Sequence, residues 1–239
     1  MSKKHKLIIT AFTILFAVVA INPQAALSNK SIEKVANTSA FSKAGEIYSQ
    51  AIFGEYNLSY KAFEQAYMGY LKLLAQGKIK KSQYLVVSDF TTSANKERFY
   101  VIDMDNRRVL FNELVAHGRN SGDEFAQSFS NEVNSYKSSP GFYITAETYQ
   151  GKHGLSLRLD GLEKGINDKA RERAVVIHAA DYVSYEFINK HGRLGRSFGC
   201  PALPKDNYDK IVDVIKEGAC LYIHTNDKNY HSKSSLIKI

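Results

Sequence analysis

Tryptophan is absent from this sequence, and cysteine occurs only twice, at Cys200 and Cys220. Two cysteines allow at most one bridge, which excludes a scaffold stapled by several disulfides. The histidines His117, His153, His178, His191 and His224 show none of the short paired spacings of a zinc knuckle or a helix-borne metal site. A metal centre therefore stands only as a minor alternative, and neither metal nor cofactor is expected. Internal repeats and low-complexity blocks are missing too. After the first thirty residues, no stretch is long and apolar enough to cross a bilayer.

The N-terminus is the exception to that last absence. A basic head, MSKKHK, precedes the apolar run LIITAFTILFAVVAI, and NPQAALS follows with small residues. A spanning helix needs about 20 apolar residues, so this shorter run fits an export signal, with residues 1–28 as the cleaved segment. No cysteine follows the run at the position a lipid anchor would use. The protein is expected outside the cytoplasm, with no stable membrane insertion once the signal is cut. The formal charge is +8, and losing Lys3, Lys4 and Lys6 leaves about +5, a diffuse basicity. KIKK at 78–81 is the densest cluster and has no nucleic-acid motif beside it, so nucleic acid is not an expected partner.

What remains is enough for a full core: apolar residues make up 44% and aromatics 12%. Residues 29–82 read as an N-terminal helical segment packed on the main domain. In SYKAFEQAYMGYLKLLAQGK, helical spacing puts Phe63, Ala66, Tyr67, Tyr70, Leu71 and Leu74 on one face, with Ser59 as N-cap and Gly77 as stop. From residue 84 the pattern changes to short strands: YLVVSDF, two apolar runs flanking a turn at Asp105-Asn106, then GFYITAETY, LSLRLDG, AVVIHA and CLYIHT. One helix, PKDNYDKIVDVIKEG, interrupts them, with Tyr208, Ile211, Val212 and Ile215 on its apolar face. The expected fold is α+β and mainly β: a curled mixed or antiparallel sheet, sandwich-like or barrel-like, spanning 83–225. Residues 226–239 read as a loose polar tail.

The stretch GRLGRSFGCPALP, residues 192–204, is too rich in glycine for a core element, yet it holds Cys200. Gly199 permits a turn or a close backbone approach. Pro201 holds Cys200 extended and removes one backbone donor, so an oxyanion hole here must use the N–H of Gly199 or Cys200, or a side chain. A thiol with its ordinary pKa near 8.5 is mostly protonated at neutral pH, and Arg193 and Arg196 offer positive potential that favours the thiolate. His178 ends a β-branched strand and is the best candidate base, with Asp181 or a backbone carbonyl to orient its ring. The rival reading locks Cys200 to Cys220 in a disulfide.

Taken together, VVIHAADYVS and GRLGRSFGCPAL resemble the catalytic signature of the YkuD-like L,D-transpeptidases, closest to the murein L,D-transpeptidase catalytic-domain branch. SSPGFYIT, VAHGRNSG and ETYQGKHGLSLRLDGLEKG are similar to that branch as well. The chain departs from the commoner pattern in having Phe198 where a histidine precedes Gly-Cys, and Pro201-Ala202 where an arginine or asparagine follows.

This resemblance implies an exported enzyme of the bacterial periplasm that acts on peptidoglycan stem peptides. Cys200 would be the nucleophile and His178 the proton acceptor, with Gly199 and Ser197 supporting the loop and the oxyanion. Arg196, Arg193, His117, Arg119, Ser139, Gly141 and Tyr143 would line the substrate site. A tetrapeptide donor would form a thioester and release D-Ala. An amine acceptor would then yield a 3→3 cross-link, and water would make the same site an L,D-carboxypeptidase. A monomer is expected. A catalytically silent envelope-binding domain is the alternative from a different class.

Overall fold

A computed structural model describes residues 38–51, 53–152 and 154–238. The export signal and His153 therefore lie outside the described residues. Among the described residues, no helix is long and apolar enough to cross a membrane.

The first described element is helix α1, residues 38–50, followed by a 3₁₀ turn at Phe53–Tyr56 and helix α2, Tyr60–Ala75. The Ser59 hydroxyl caps α2 by accepting from the N–H of Ala62 at 3.2 Å. The chain leaves the helix through Gly77 at a φ of +66°. Phe63, Ala66, Tyr67 and Tyr70 are buried as their spacing predicts, but the last turn buries Leu73 and exposes Leu74. Consecutive helical residues lie about 100° apart, so a stripe drifting around the helix reaches 73 rather than 74 at this end.

Eight strands follow: β1 Tyr84–Asp89, β2 Phe99–Asp103, β3 Arg108–Glu113, β4 Gly141–Gly151, β5 Gly154–Gly161, β6 Val176–Ala179, β7 Ala202–Leu203 and β8 Cys220–His224. They form one mixed sheet in the order β3-β2-β1-β8-β4-β5-β6-β7. The β1–β8 and β6–β7 pairs are parallel, and the rest are antiparallel. Parallel pairs need crossovers. The β6–β7 connection contains helix α3, Tyr185–His191, which sequence periodicity did not reveal; Ser184 caps it and Gly192 ends it in the left-handed conformation.

Alternation along the central strands splits the core in two. Leu85, Val87, Tyr100, Ile102, Cys220 and Tyr222 face one way and pack with α2. Val86, Phe99, Val101, Leu221 and Ile223 face the other way and pack with helix α4, Tyr208–Ile215. With both faces covered, these strands read as continuous apolar runs rather than alternating ones. Each large side chain so buried contributes about 1.5–3 kcal/mol.

The ends of the strand order meet. Ala116, three residues beyond β3, bridges Ala202 of β7, with N–H···O distances of 2.9 and 3.3 Å. This bridge rolls the sheet into a nearly closed barrel, as the expected fold class required. The C-terminal stretch corrects an expectation. Instead of hanging loose, it forms helix α5, Lys228–Lys233, which buries Tyr230 and later Leu236. Its polar composition hid the two apolar anchors.

Candidate active site

The glycine-rich loop lies on the seam where the barrel closes. Three segments interlock there. Ser197 donates its N–H to the carbonyl of His117 at 2.9 Å, Arg119 donates to the carbonyl of Ser197 at 2.8 Å, and the Ser138 hydroxyl donates to the carbonyl of Gly199 at 3.1 Å. The fit leaves no room for side chains at two positions. A Cβ on Gly118 would sit 2.5 Å from the carbonyl oxygen of Tyr136, and one on Gly199 would sit 2.8 Å from that of Lys137. Gly199 also has a φ of +126°, which L residues rarely adopt.

Within this loop the Ser197 hydroxyl accepts from the N–H of Gly199 at 3.0 Å and donates to the carbonyl of Cys200 at 2.6 Å. The Gly199 N–H is thereby spent, and Pro201 has none. Among the described residues the Cys200 N–H has no acceptor, which makes it the donor available to an oxyanion.

Cys200 is half-buried, and both cysteines are free. Cys220 is fully buried within β8, so the disulfide reading is not realised. The Cys200 S–H donates to the carbonyl of Ala174 at 3.7 Å. Burial pushes this thiol above its ordinary pKa, while the N–H of Val176 and the guanidinium of Arg173 pull the other way. The thiol at rest is therefore protonated and needs a base.

His178 is the third residue of β6 and is buried. In the parallel β6–β7 ladder its Cα partner is Ala202, two residues beyond Cys200. Its Nδ1 lies 3.0 Å from the carbonyl oxygen of Ala179. A carbonyl only accepts, so Nδ1 carries the proton and Nε2 is the basic nitrogen. The carbonyl, and not Asp181, orients the ring: the Asp181 side chain is exposed and ion-paired with Lys205.

The arginines sort differently from their sequence positions. Arg196 donates to the carbonyl of Gly122 at 2.9 Å and pairs with Asp123 at 2.5 Å, and Arg193 donates to the carbonyl of Leu194 at 2.9 Å. Neither is the cation beside the sulfur. That cation is Arg173, just before β6, which sequence reasoning missed. It donates to the carbonyl of Ser130 at 2.8 Å and also to the carbonyl of Lys137 and the hydroxyl of Ser139. Tyr182 is a second unforeseen neighbour; burial, with a further contribution from Cys200 once ionised, pushes its hydroxyl up to about 12.

The remaining candidates divide between wall and support. Arg119 is exposed. His117 is fully buried, with Nδ1 2.8 Å from the Arg98 guanidinium and Nε2 3.3 Å from the carbonyl oxygen of Gly122. Burial and Arg98 press its pKa down to about 3, so it stays neutral and supports the loop from beneath. Arg98 is itself fully buried, donating to Val115 at 2.9 Å and Thr92 at 2.8 Å. Tyr143 is buried, its hydroxyl donating to the carbonyl of Ser139 at 3.0 Å, and Gly141 is buried at the start of β4. Ser139 is buried and donates to the carbonyl of Ser130 at 2.8 Å. Among the described residues no group of three His, Cys, Asp or Glu side chains is arranged to hold a metal ion.

Residues 54–224 match the family model of the L,D-transpeptidase catalytic domain. The chain belongs to this family. No curated protein sequence matches it significantly. Among solved structures, the chain is similar to an L,D-transpeptidase from Mycobacterium smegmatis, at 15% identity over 60% of this chain and 59% of that one, with a TM-score of 0.36. It is also similar to the L,D-transpeptidase of Stackebrandtia nassauensis, at 14% identity, 70% and 68% coverage and a TM-score of 0.36. The helical cell shape determining protein Pgp2 of Campylobacter jejuni gives 14% identity, 69% and 57% coverage and a TM-score of 0.40. The chain thus spans about three fifths of the first of these.

Proposed function

We propose that this L,D-transpeptidase family member is an exported cysteine acyltransferase that works on peptidoglycan stem peptides in the bacterial envelope. The observation that carries the proposal is the pairing of Ala202 with His178, which sets the base strand beside the loop holding Cys200.

In the proposed reaction, His178 Nε2 takes the Cys200 proton and the sulfur attacks the carbonyl carbon at the L-centre of diaminopimelate. The Cys200 N–H faces the resulting oxyanion. Collapse breaks the peptide bond, the D-Ala amine leaves with the proton from His178, and a thioester remains. An acceptor amine then attacks the thioester, giving its proton to His178 and restoring the thiol, with a 3→3 cross-link as product. Water in place of the amine gives a carboxypeptidase from the same site. A half-buried, protonated thiol suits this scheme because the proton leaves only when base and substrate are in place. The two free cysteines weigh against the silent, disulfide-locked binder.

Incubating the mature protein with tetrapeptide muropeptides and weighing the products tests the proposal. D-Ala release with dimeric or trimmed products is expected, and Cys200→Ala and His178→Ala each should abolish it. A Cys200→Ala protein with undiminished turnover would end the proposal.

A further inference from the structure

Arg119 stands apart from the other arginines of the seam. Its guanidinium carbon lies 4.6 Å from the centroid of the Tyr136 ring and 4.8 Å from that of Phe198. The two rings are themselves 4.9 Å apart, so the three groups form a nearly equilateral triangle. Phe198 is 60% exposed, unusual for a large apolar side chain. Arg173, Arg193 and Arg196 each donate to at least one protein oxygen. The Arg119 guanidinium makes no hydrogen bond to any described residue.

The backbone beneath this triangle is rigid. Arg119 is tied to Ser197 through its N–H, and the Arg196 guanidinium donates to its carbonyl at 3.3 Å. Asn120 donates its N–H to the carbonyl of Tyr136 at 3.1 Å. Phe198 precedes Cys200 by two residues, so their α-carbons are at most about 7 Å apart.

A guanidinium held against two rings at an exposed position has less freedom to lose on binding, and its N–H donors stay open to a ligand. The guanidinium fork matches a carboxylate in two parallel hydrogen bonds. We propose that Arg119, Tyr136 and Phe198 form a carboxylate clamp that seats an acidic group of the peptide substrate beside the acyl-transfer centre. The exposed face of Phe198 covers the carbon skeleton next to that carboxylate. The identity of the ligand as a stem peptide rests on the function proposed above, whereas the clamp itself does not.

Calorimetric titration tests the clamp without turnover. The Cys200→Ala protein is titrated with a stem tetrapeptide carrying free carboxylates, and with the same peptide having every carboxylate converted to a carboxamide. Adding Arg119→Gln should weaken binding of the free acid about tenfold and barely change binding of the amide. Arg119→Lys should rescue little, because an ammonium keeps the charge but not the planar fork. Phe198→Ala, at an exposed position whose truncation leaves the core intact, should fall between. Equal affinity of the Arg119→Gln and parent proteins for the free acid overturns the clamp. So does an equal loss on both peptides, provided Phe198→Ala shows no preference for the amide either. A wild-type protein that releases no D-Ala, yet shows this Arg119-dependent preference, keeps the clamp and removes the transferase proposal. Turnover without the preference does the reverse.

Discussion

The Ser197 hydroxyl donates to the carbonyl of Cys200 at 2.6 Å while accepting from the N–H of Gly199 at 3.0 Å. One side chain thus closes the loop around the thiol and decides which backbone N–H stays open to a substrate. Ser197→Ala should release both groups and let the Cys200 N–H wander from its place. A drop of about ten- to hundredfold in the rate of acylation is expected, with about 1 kcal/mol or less lost in stability. Single-turnover mass spectrometry and urea denaturation measure the two effects separately, and unaltered acylation would contradict this role.

The orienting group of His178 is the Ala179 carbonyl rather than a carboxylate. Asp181→Asn should therefore leave turnover within about twofold, since an exposed ion pair contributes little. His178→Gln should remove turnover. A loss in Asp181→Asn comparable to that in His178→Gln would show that the carboxylate acts on the ring after all.

Arg173 and Cys200 are linked electrostatically and through the 130–139 segment. The Cys200 thiol is raised by burial and lowered in part by Arg173. Replacing Arg173 with Gln should move the thiol further up, so the pH profile of iodoacetamide alkylation shifts to higher pH and the rate at pH 8 falls several-fold. Arg173→Lys should recover part of the shift because charge is kept. An Arg173→Gln profile superimposed on the wild type would exclude the electrostatic role.

His117 predicts an acid weakness. Its pKa falls from an ordinary 6.5 to about 3 on folding. The unfolded chain thus takes up a proton that the folded one refuses. The stability this neutral ring supports is intact above pH 6.5 and drains away as the pH falls toward 3, at up to about 1.4 kcal/mol per pH unit. Urea midpoints between pH 7 and 4 should decline in the wild type and decline less steeply in His117→Gln. His117→Ala at neutral pH should cost about 2 kcal/mol, because the buried Arg98 loses one of its acceptors and keeps only the carbonyls of Val115 and Thr92. A midpoint that stays level with pH would refute the assignment.

Much of this molecule was legible in advance because local rules govern it. Ser59 caps α2 and Gly77 ends it; Asp103 accepts from the N–H of Asn106 at 2.9 Å in the hairpin turn; Tyr208, Ile211, Val212 and Ile215 are buried in α4. Helix α3 went unseen because its residues are only partly buried or exposed and leave no apolar stripe to read.

The sequence singled out Cys200 and His178, which the fold sets on neighbouring segments, and not the groups around them. Arg193 and Arg196 look like the cations of the Cys200 loop because they are near it in sequence, yet side chains on a tight turn splay outward. Arg173 and Tyr182 are more distant in sequence and are coupled electrostatically to the thiol because β6 lies beside the loop.

By itself the sequence determined every strand but the two-residue β7, helices α2 and α4, the export signal as an expectation, and the glycine and proline that present Cys200, since propensity, periodicity and backbone sterics act over a few residues. Only the tertiary structure decided which arginine faces the thiol, which N–H remains free and which side chains form the rim. Those choices depend on closing the barrel between Ala116 and Ala202, which brings together segments from three distant parts of the chain. Contacts across such a seam are set by packing and backbone hydrogen bonding, and no spacing along the chain records them.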